Sequence, residues 1–430
     1  MQQVGRRAFI AGLGSAVAAM GANDRINVAI VGLGGRGRNH VQIYAAQKNC
    51  RIAALCDVDK AQIERAAAQA KNLGQPDVKA YQDFRKLLED KDVDVVSLAT
   101  PNHWHALQTI WACQAGKDVY VEKPASHSVW EGRKMVEAAR QYKRIVQVGM
   151  QNRTIQHKMR AVQLLREGVI GEVYMAKGIC YKRRVDIGRA PDSQPPAGVD
   201  YDMWLGPAPM RPFNEKRFHY NWHWFWDTGN GDIGNQGIHE MDYARWGLGK
   251  TGLPKKVHAS GGLFTYANQE TPNMLLAEYD YGDSQLIFEV RGLPTNTEGS
   301  IALRPDGFVG NLFYGSKGWM SADSENFQVH LGNKGEVSQE MKCVEAERVA
   351  TAPHVQNFLD VVRSRNEKDL KGDVFEGHLS AILVHMANIS YRTGRKLAFD
   401  AASETFGNDR EANAYVRQQY RAPYVVPEKV

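Results

Sequence analysis

The chain has 430 residues, of which 43% are hydrophobic and 24% charged, and it carries a formal net charge of +6. That length exceeds one ordinary domain and predicts two, with a composition that excludes the disordered and fibrous classes. Lysines and arginines are scattered rather than blocked, and no basic stripe, zinc spacing or aromatic RNA motif is present, so neither nucleic acid nor metal is expected.

At the N-terminus, Arg6-Arg7-Ala8-Phe9-Ile10 opens an apolar, Ala- and Gly-rich stretch that runs to Ala22. A charged head, a short apolar region and a small-residue end are the parts of a secretory signal, and the paired arginines before Phe make it the twin-arginine type. Residues 1–24 are therefore expected to be a signal peptide and the protein to be exported, with a periplasmic destination. The stretch is short for a bilayer and no other segment is apolar and long enough, so no stable membrane span is expected.

From Arg25 apolar runs alternate with helix-like segments, the pattern of a parallel α/β sheet. Ile26–Val31, Arg51–Cys56, Asp94–Ala99, Asp118–Val121 and Ile145–Val148 read as strands. Asn39–Lys48, Ala61–Lys71, Trp104–Ala115 and Trp130–Tyr142 read as the helices between them. These make a first domain over residues 25–150. After Gln151 a helix (Met159–Glu167) leads into a strand-like run (Val173–Tyr181), and residues 187–212 form a Pro- and Gly-bearing excursion. Segments 256–265, 275–280, 285–291 and 326–331 alternate apolar and polar residues, as half-buried strands of an antiparallel sheet do. Helices return at His354–Ser364 and His378–Thr393, before a Pro-punctuated tail that contains Tyr420-Arg421-Ala422-Pro423-Tyr424. Residues 151–430 thus form a second domain. The five cysteines include no C-x-x-C pair and read as buried free thiols.

Gly32-Leu33-Gly34-Gly35-Arg36-Gly37 fits G-x-G-x-x-G, and it follows a buried strand and opens a helix, the context that gives the motif meaning. The first glycine permits a tight turn, the second lets backbone approach a pyrophosphate, and the third lets helix pack on strand. Asp57 ends the second strand at the position expected to hold the ribose hydroxyls. A carboxylate there repels a 2′-phosphate, so the expected cofactor is NAD rather than NADP.

At the next strand end stands Ala99-Thr100-Pro101-Asn102-His103-Trp104-His105, and after the following strand Glu122-Lys123-Pro124. With the glycine motif, this order and spacing resembles the glucose–fructose oxidoreductase, inositol dehydrogenase and rhizopine-catabolism (Gfo/Idh/MocA) family. The likeness runs from about Ile26 to the closing Tyr-Arg-x-Pro segment. It implies an N-terminal Rossmann domain followed by an α/β domain with a large, open, mainly antiparallel sheet, and an active site between the two. It also implies assembly into a homo-oligomer through the open sheet faces. Carried over residue by residue, it places Gly32, Gly34, Gly35, Arg36, Gly37, Asp57, Thr100, Pro101, Asn102, His105 and Glu122 along the cofactor. His105 reads equally well as a packing residue. Lys123 matches the lysine that touches both nicotinamide ribose and substrate hydroxyl, where an ammonium stabilises developing alkoxide charge.

Asp227-Thr228-Gly229-Asn230-Gly231-Asp232-Ile233-Gly234-Asn235-Gln236-Gly237-Ile238-His239-Glu240-Met241-Asp242 resembles the family's D-x-x-x-H segment. His239 and Asp242 match, whereas the aspartate position is Asn235. Four-residue spacing on a helix puts Asn235 and His239 on one face. Asn can orient an imidazole but cannot stabilise imidazolium by charge. His239 is the expected acid/base, Asp242 is expected to anchor the helix or bond backbone, and Asp227 or Asp232 stands close enough to replace the missing charge.

Just upstream, His219-Tyr220-Asn221-Trp222-His223-Trp224-Phe225-Trp226 offers aromatic faces that suit the C–H faces of a sugar. Trp222 and His223 are the expected substrate contacts. Tyr181 and Arg183, ending a strand, either line the same pocket or are solvated. Export adds a constraint, since a protein needing NAD outside the cytoplasm must carry it bound. The expected function is hydride transfer from a hydroxyl carbon of a sugar or sugar-like polyol to tightly bound NAD. The alternatives are a redox-neutral glycosidase or lyase that oxidises transiently, and a cofactor-binding sensor.

Overall fold

Residues 25–265, 268–293, 297–298, 301–302, 308–332, 335–344 and 351–430 are described by a computed structural model. The expected signal peptide lies outside them.

Strands β1 (Ile26–Val31), β2 (Cys50–Cys56), β3 (Lys79–Tyr81), β4 (Val95–Leu98), β5 (Asp118–Val121) and β6 (Val146–Val148) form a parallel sheet in the order 3-2-1-4-5-6. β1, β4 and β5 are near-continuous apolar runs because both faces of a parallel sheet are covered by helices. Those helices are α1 (Gly35–Ala45), α2 (Lys60–Asn72), α3 (Phe84–Leu88), α4 (Asn102–Gln114) and α5 (Val129–Gln141). Local signals set their starts: Asp59 caps α2, Asp83 caps α3, and Ser128 with Glu131 forms a capping box on α5. The strand order reverses between β1 and β4, which opens a crevice at their carboxyl ends.

The second domain contains α6 (Gln156–Arg166), β7 (Val173–Tyr181), α7 (Tyr201–Leu205), α8 (Ile238–Gly247), β8 (Lys256–Gly262), β9 (Met274–Asp280), β10 (Gln285–Arg291), β11 (Thr297–Glu298), β12 (Ile301–Ala302), β13 (Phe308–Gly315), β14 (Gly318–Asp323), β15 (Asn326–Leu331) and β16 (Glu336–Lys342). It closes with α9 (Thr351–Ser364), α10 (Val374–Thr393), β17 (Leu397–Ala398) and α11 (Arg410–Asn413). Nine strands form one sheet in the order 16-15-14-13-7-10-9-8-17, parallel at the β7–β10 pair and antiparallel elsewhere. α8 crosses one face at close range. A Cβ on Gly178 would stand 3.2 Å from Glu240 Cβ, and one on Gly237 would stand 2.3 Å from Phe288.

The alternating segments expected as strands are β8, β9, β10 and β15. β13, β14 and β16 escaped that reading because β13 is interrupted by Gly310, β14 is short and begins at Gly318, and β16 is a polar, exposed edge. α9 leaves its own sheet and packs on the first one, where Val355, Phe358, Leu359 and Val361 join Val28, Ile30 and Tyr120. Tyr424 and Val426 of the tail likewise pack with Trp104 and Leu107. The two sheets therefore divide near residue 150, but the helices and tail of the second segment complete the first core. Among the described residues, no helix is long and apolar enough to cross a membrane.

Candidate active site

The glycine turn lines a cavity of about 520 Å³ between the two sheets. Its glycines have separate physical duties. Gly32 sits at φ +79°, and a Cβ there would lie 2.7 Å from the Ala99 carbonyl oxygen. A Cβ on Gly37 would lie 1.8 Å from the Gly32 carbonyl oxygen, so this glycine is needed for helix to approach turn. Gly34 and Gly35 line the cavity, and a Cβ on either would meet no atom within 4 Å. α1 starts with no side-chain cap and no acid in its first turn, so no side chain competes for its leading amides. This open cradle fits a pyrophosphate.

Asp57 stands at the same cavity, one carboxylate oxygen accepting from Leu33 N (2.5 Å) and the other from Asp59 N (2.9 Å). Burial pushes its pKa up to about 6, against those two amide bonds. The carboxylate both pins the glycine turn and remains on the wall where ribose hydroxyls would donate.

Glu122 lines the cavity too, but its carboxylate is committed inward. It accepts from Arg36 Nε (2.8 Å), pairs with His40 Nε2 (3.1 Å) and lies 3.4 Å from Gln151 Nε2. Burial pushes the Glu122 carboxyl up, yet the Arg36 charge and the His40 bond outweigh it and hold the group well below the usual range. Arg36 is spent likewise, donating also to Asn39 Oδ1 (2.9 Å) and Thr351 Oγ1 (3.0 Å). Both residues position the loop around Lys123 rather than offering a free charge to a ligand. His40 was not legible in the sequence, because nothing near it marks a histidine as a buried brace.

Thr100, Pro101, Asn102 and His105 all reach the cavity. His105 places Nδ1 2.8 Å from the Pro124 carbonyl and Nε2 2.8 Å from the Thr100 carbonyl, bracing one cofactor-side loop against the other. Asn102 Nδ2 donates to Asn230 Oδ1 (2.9 Å) and ties the first domain to the second.

Lys123 is half-buried on the cavity wall, and its Nζ donates to the Asn235 carbonyl at 2.5 Å. Burial lowers its pKa, with Glu122 opposing. Asn235 lies in a π-helical turn, Ile233–Gly237, that opens α8. The Asn235 side chain reaches the cavity wall, whereas His239, in the α-helical turn that follows, does not. The Asn235 amide donates to the Tyr220 hydroxyl (3.1 Å) and to Asp232 Oδ1 (3.4 Å), not to His239. His239 is half-buried and is not part of the cavity wall. Burial, with Lys123, Lys158 and Arg36 nearby, pushes it down to about 3, so its ring is neutral.

Asp232 is the carboxylate at Asn235, but Arg184 neutralises it through bonds of 2.5 and 2.9 Å. Asp227 pairs instead with Arg211. Asp242 anchors α8, accepting from Arg153 (2.8 and 2.9 Å) and from Ser380 Oγ (2.7 Å).

Trp222 and His223 both face the cavity, their rings stacked at 3.5 Å. His223 Nδ1 stands 2.6 Å from the Tyr220 carbonyl, and burial pushes it down to about 3. Trp224 is covered by Arg184, and Trp226 by Arg392. Tyr181 is not in the pocket. Side chains alternate along β7, so Cys180 faces the helices while Tyr181 faces the opposite side, packing with Phe308 and Leu312 and donating to Glu289 (2.9 Å). Arg183 is exposed and outside the wall as well, and the neighbouring Arg184 is half-buried against Asp232 behind the wall. Tyr220 and Arg184 were missed by sequence reasoning. Tyr220 lies in the aromatic run it singled out and Arg184 one residue past Arg183, but only tertiary contacts show that they meet Asn235 and Asp232. Among the described residues, no group of His, Cys, Asp and Glu is arranged to hold a metal.

A doubly wound domain with an open glycine cradle and a carboxylate after its second strand, joined to a second domain that meets the lysine after its fifth, is the architecture of the NAD-binding oxidoreductase class. Residues 26–150 match the pattern described as the oxidoreductase family's NAD-binding Rossmann fold, and residues 131–298 and 321–426 match that family's C-terminal alpha/beta domain. The chain belongs to the Gfo/Idh/MocA oxidoreductase family. It is similar to a "Glycosyl hydrolase family 109 protein" of Saccharopolyspora erythraea, 27% identical over 60% of this chain and 50% of that one. It is also similar to the rhizopine catabolism protein MocA of Rhizobium meliloti, 26% identical over 63% of this chain and 73% of that one. The chain thus spans only about half the length of the first of these relatives. In fold it resembles the WlbA dehydrogenase of Chromobacterium violaceum, solved with NADH and UDP-GlcNAcA, at TM-score 0.65 and 22% identity over 88% of this chain and 96% of that one. It equally resembles the aldose-aldose oxidoreductase of Caulobacter crescentus, solved with glycerol, at TM-score 0.66 and 19% identity over 87% and 100%.

Proposed function

We propose that the protein transfers hydride between a hydroxyl-bearing carbon of a sugar or sugar-like polyol and tightly bound NAD. The observation that carries this reading is the placement of Lys123, on the wall that joins the glycine cradle to the Trp222–His223 platform. Bound NAD supplies the two-electron acceptor. The chain's own part is to hold the dinucleotide through the cradle and Asp57, and to seat the sugar against Trp222 and His223. Lys123 stabilises the substrate oxygen as it loses its proton. His105 has both ring nitrogens engaged by carbonyls and His239 stands off the cavity wall, whereas His223 lines the cavity, meets a carbonyl through Nδ1 and is the proton acceptor in this reading.

A sugar panel followed by NADH absorbance, or by redox exchange between two sugars, tests it. Sugar binding with neither outcome would leave only the sensor. A second reading, redox-neutral glycoside cleavage, is favoured by Asn235 in the place of aspartate and by the likeness to the glycosyl hydrolase family 109 protein of Saccharopolyspora erythraea. It requires aglycone release without NADH accumulation and solvent deuterium in the sugar.

Export by the twin-arginine route to the periplasm belongs to the same proposal, supported by Arg6-Arg7 and the apolar stretch behind them. So does self-association through the open sheet face, supported by the partly exposed Phe308 and Leu312 there.

A further inference from the structure

The excursion of the second domain reaches back to the end of β2 and grips the residues that follow Asp57. Asp59 and Val199 form an antiparallel bridge, and Asp200 N donates to the Val58 carbonyl at 2.9 Å. Gln82 Nε2 staples the seam, donating to the Val58 carbonyl (2.8 Å) and the Gly198 carbonyl (2.9 Å). Behind the seam, Trp204, Leu205, Phe213 and Phe218 are buried together, with Val58 packed against them. Met203, Trp204, Phe218 and His219 of the same segment become cavity wall.

The tail fastens this segment. Arg421 spreads its guanidinium over the end of α7, donating to Asp202 Oδ1 (2.6 Å), the Asp202 carbonyl (2.6 Å) and the Gly206 carbonyl (3.1 Å). Arg421 N also donates to the Pro207 carbonyl at 3.1 Å. Three residues on, Tyr424 lies edge-on to Trp104 with ring centroids 5.3 Å apart and completes the wall.

We propose that residues 193–219, latched by Arg421 onto α7, close the adenosine half of the cofactor groove and make NAD(H) a slowly exchanging resident of the protein. The proposal rests on the reading of this groove as the dinucleotide site. Asp57 marks the adenosine ribose, so a wall built on Val58 and Asp59, with Trp204, Phe218 and His219 in its lining, stands beside the adenine. Release then requires a local opening in which the seam, the apolar cluster behind it and the Arg421 latch separate together, and the cost of that opening sets the rate.

The test uses the full chain loaded with NADH and chased with excess NAD+, with loss of bound-NADH fluorescence giving the off-rate; no sugar is involved. Arg421→Ala is expected to release NADH at least about tenfold faster than wild type, a difference of about 1.4 kcal/mol in the barrier. Asp202→Asn, at a side chain 54% exposed, is expected to accelerate release with an unchanged melting curve, and it decides the matter if Arg421→Ala fails to fold. Wild type that exchanges NADH within hand-mixing time, or folded variants that release it at the wild-type rate, would overturn the proposal. Wild type that binds no NADH would overturn the cofactor reading along with it, whereas failure of the sugar panel alone leaves this measurement untouched.

Discussion

The ammonium of Lys123 donates a 2.5 Å hydrogen bond to the main-chain carbonyl of Asn235, 112 residues further along the chain. The donor follows β5 of the first sheet by two residues and the acceptor lies in the π-turn before α8, so the bond crosses the junction of the two domains. A π-turn re-aims backbone groups relative to an α-helix and is common at functional sites. Lys123 is thereby positioned by backbone, while the Asn235 side chain is left to Tyr220 and Asp232.

Lys123→Ala should keep its NAD, measured after acid release, and lose turnover by about 10²–10³-fold. The ammonium must be protonated to stabilise substrate oxygen, and burial lowers its pKa below the usual 10.5. Turnover in wild type should therefore fall as pH rises through that lowered value, giving an alkaline limb earlier than an exposed lysine would. A kcat–pH profile with the same limb in wild type and Lys123→Ala would remove the lysine from the mechanism.

The glycines should separate by what a methyl group meets. Gly34→Ala is expected to melt like wild type yet bind NADH about tenfold more weakly, about 1.4 kcal/mol, since the new group projects into open cavity space. Gly37→Ala places Cβ 1.8 Å from a backbone oxygen and should lower the melting temperature itself. Equal melting temperatures in these two variants would contradict the assigned duties.

Asp242 is the buried partner of Arg153, with side chains 1% and 8% exposed. Asp242→Ala leaves that guanidinium with Glu376 alone and should cost about 3–5 kcal/mol of stability in urea unfolding. NADH affinity measured on the folded variant should change little, because Asp242 anchors α8 and does not line the cavity. A large affinity loss at wild-type stability would reverse that assignment.

Acid should destabilise the fold early. Burial holds His103 and His223 neutral down to about 3 and His127 and His354 down to about 4. In the unfolded chain these rings titrate near pH 6.5. Between about pH 6.5 and 4 the unfolded state binds more protons, so stability falls as pH falls, by up to about 1.4 kcal/mol per pH unit for each such histidine. Asp57, raised to about 6, Glu240, raised to about 7, and Glu131, raised to about 8, act in the opposite sense but are fewer than the buried histidines. Melting temperatures measured from pH 7 to 4 should decline across that window, and a flat profile would mean that the rings are not held neutral.

Much of the first domain was legible because its information is local. The β1–turn–α1 unit, Asp57 at a strand end and the Glu122-Lys123-Pro124 loop each depend on residues a few positions apart, and an apolar run doubly covered by helices cannot read as anything else. The aromatic run offered several candidate faces, yet which of its tryptophans reached the cavity depended on residues outside it, with Arg184 over Trp224 and Arg392 over Trp226.

By itself, the sequence determined the dinucleotide-binding domain, the lysine at its rim and the family, since backbone turns and strand-end positions are dictated by adjacent residues. Tertiary structure decided the rest of the site. It turned Tyr181 away and Arg184 inward, because the helices cover one face of β7 and alternation does the remainder. It set Asn235 on a π-turn under Lys123, bound Glu122 to Arg36 and His40, and brought the excursion and Arg421 to the edge of the groove. Each of these depends on a partner eighty or more residues away or on which face of a sheet is covered, and sequence spacing carries neither.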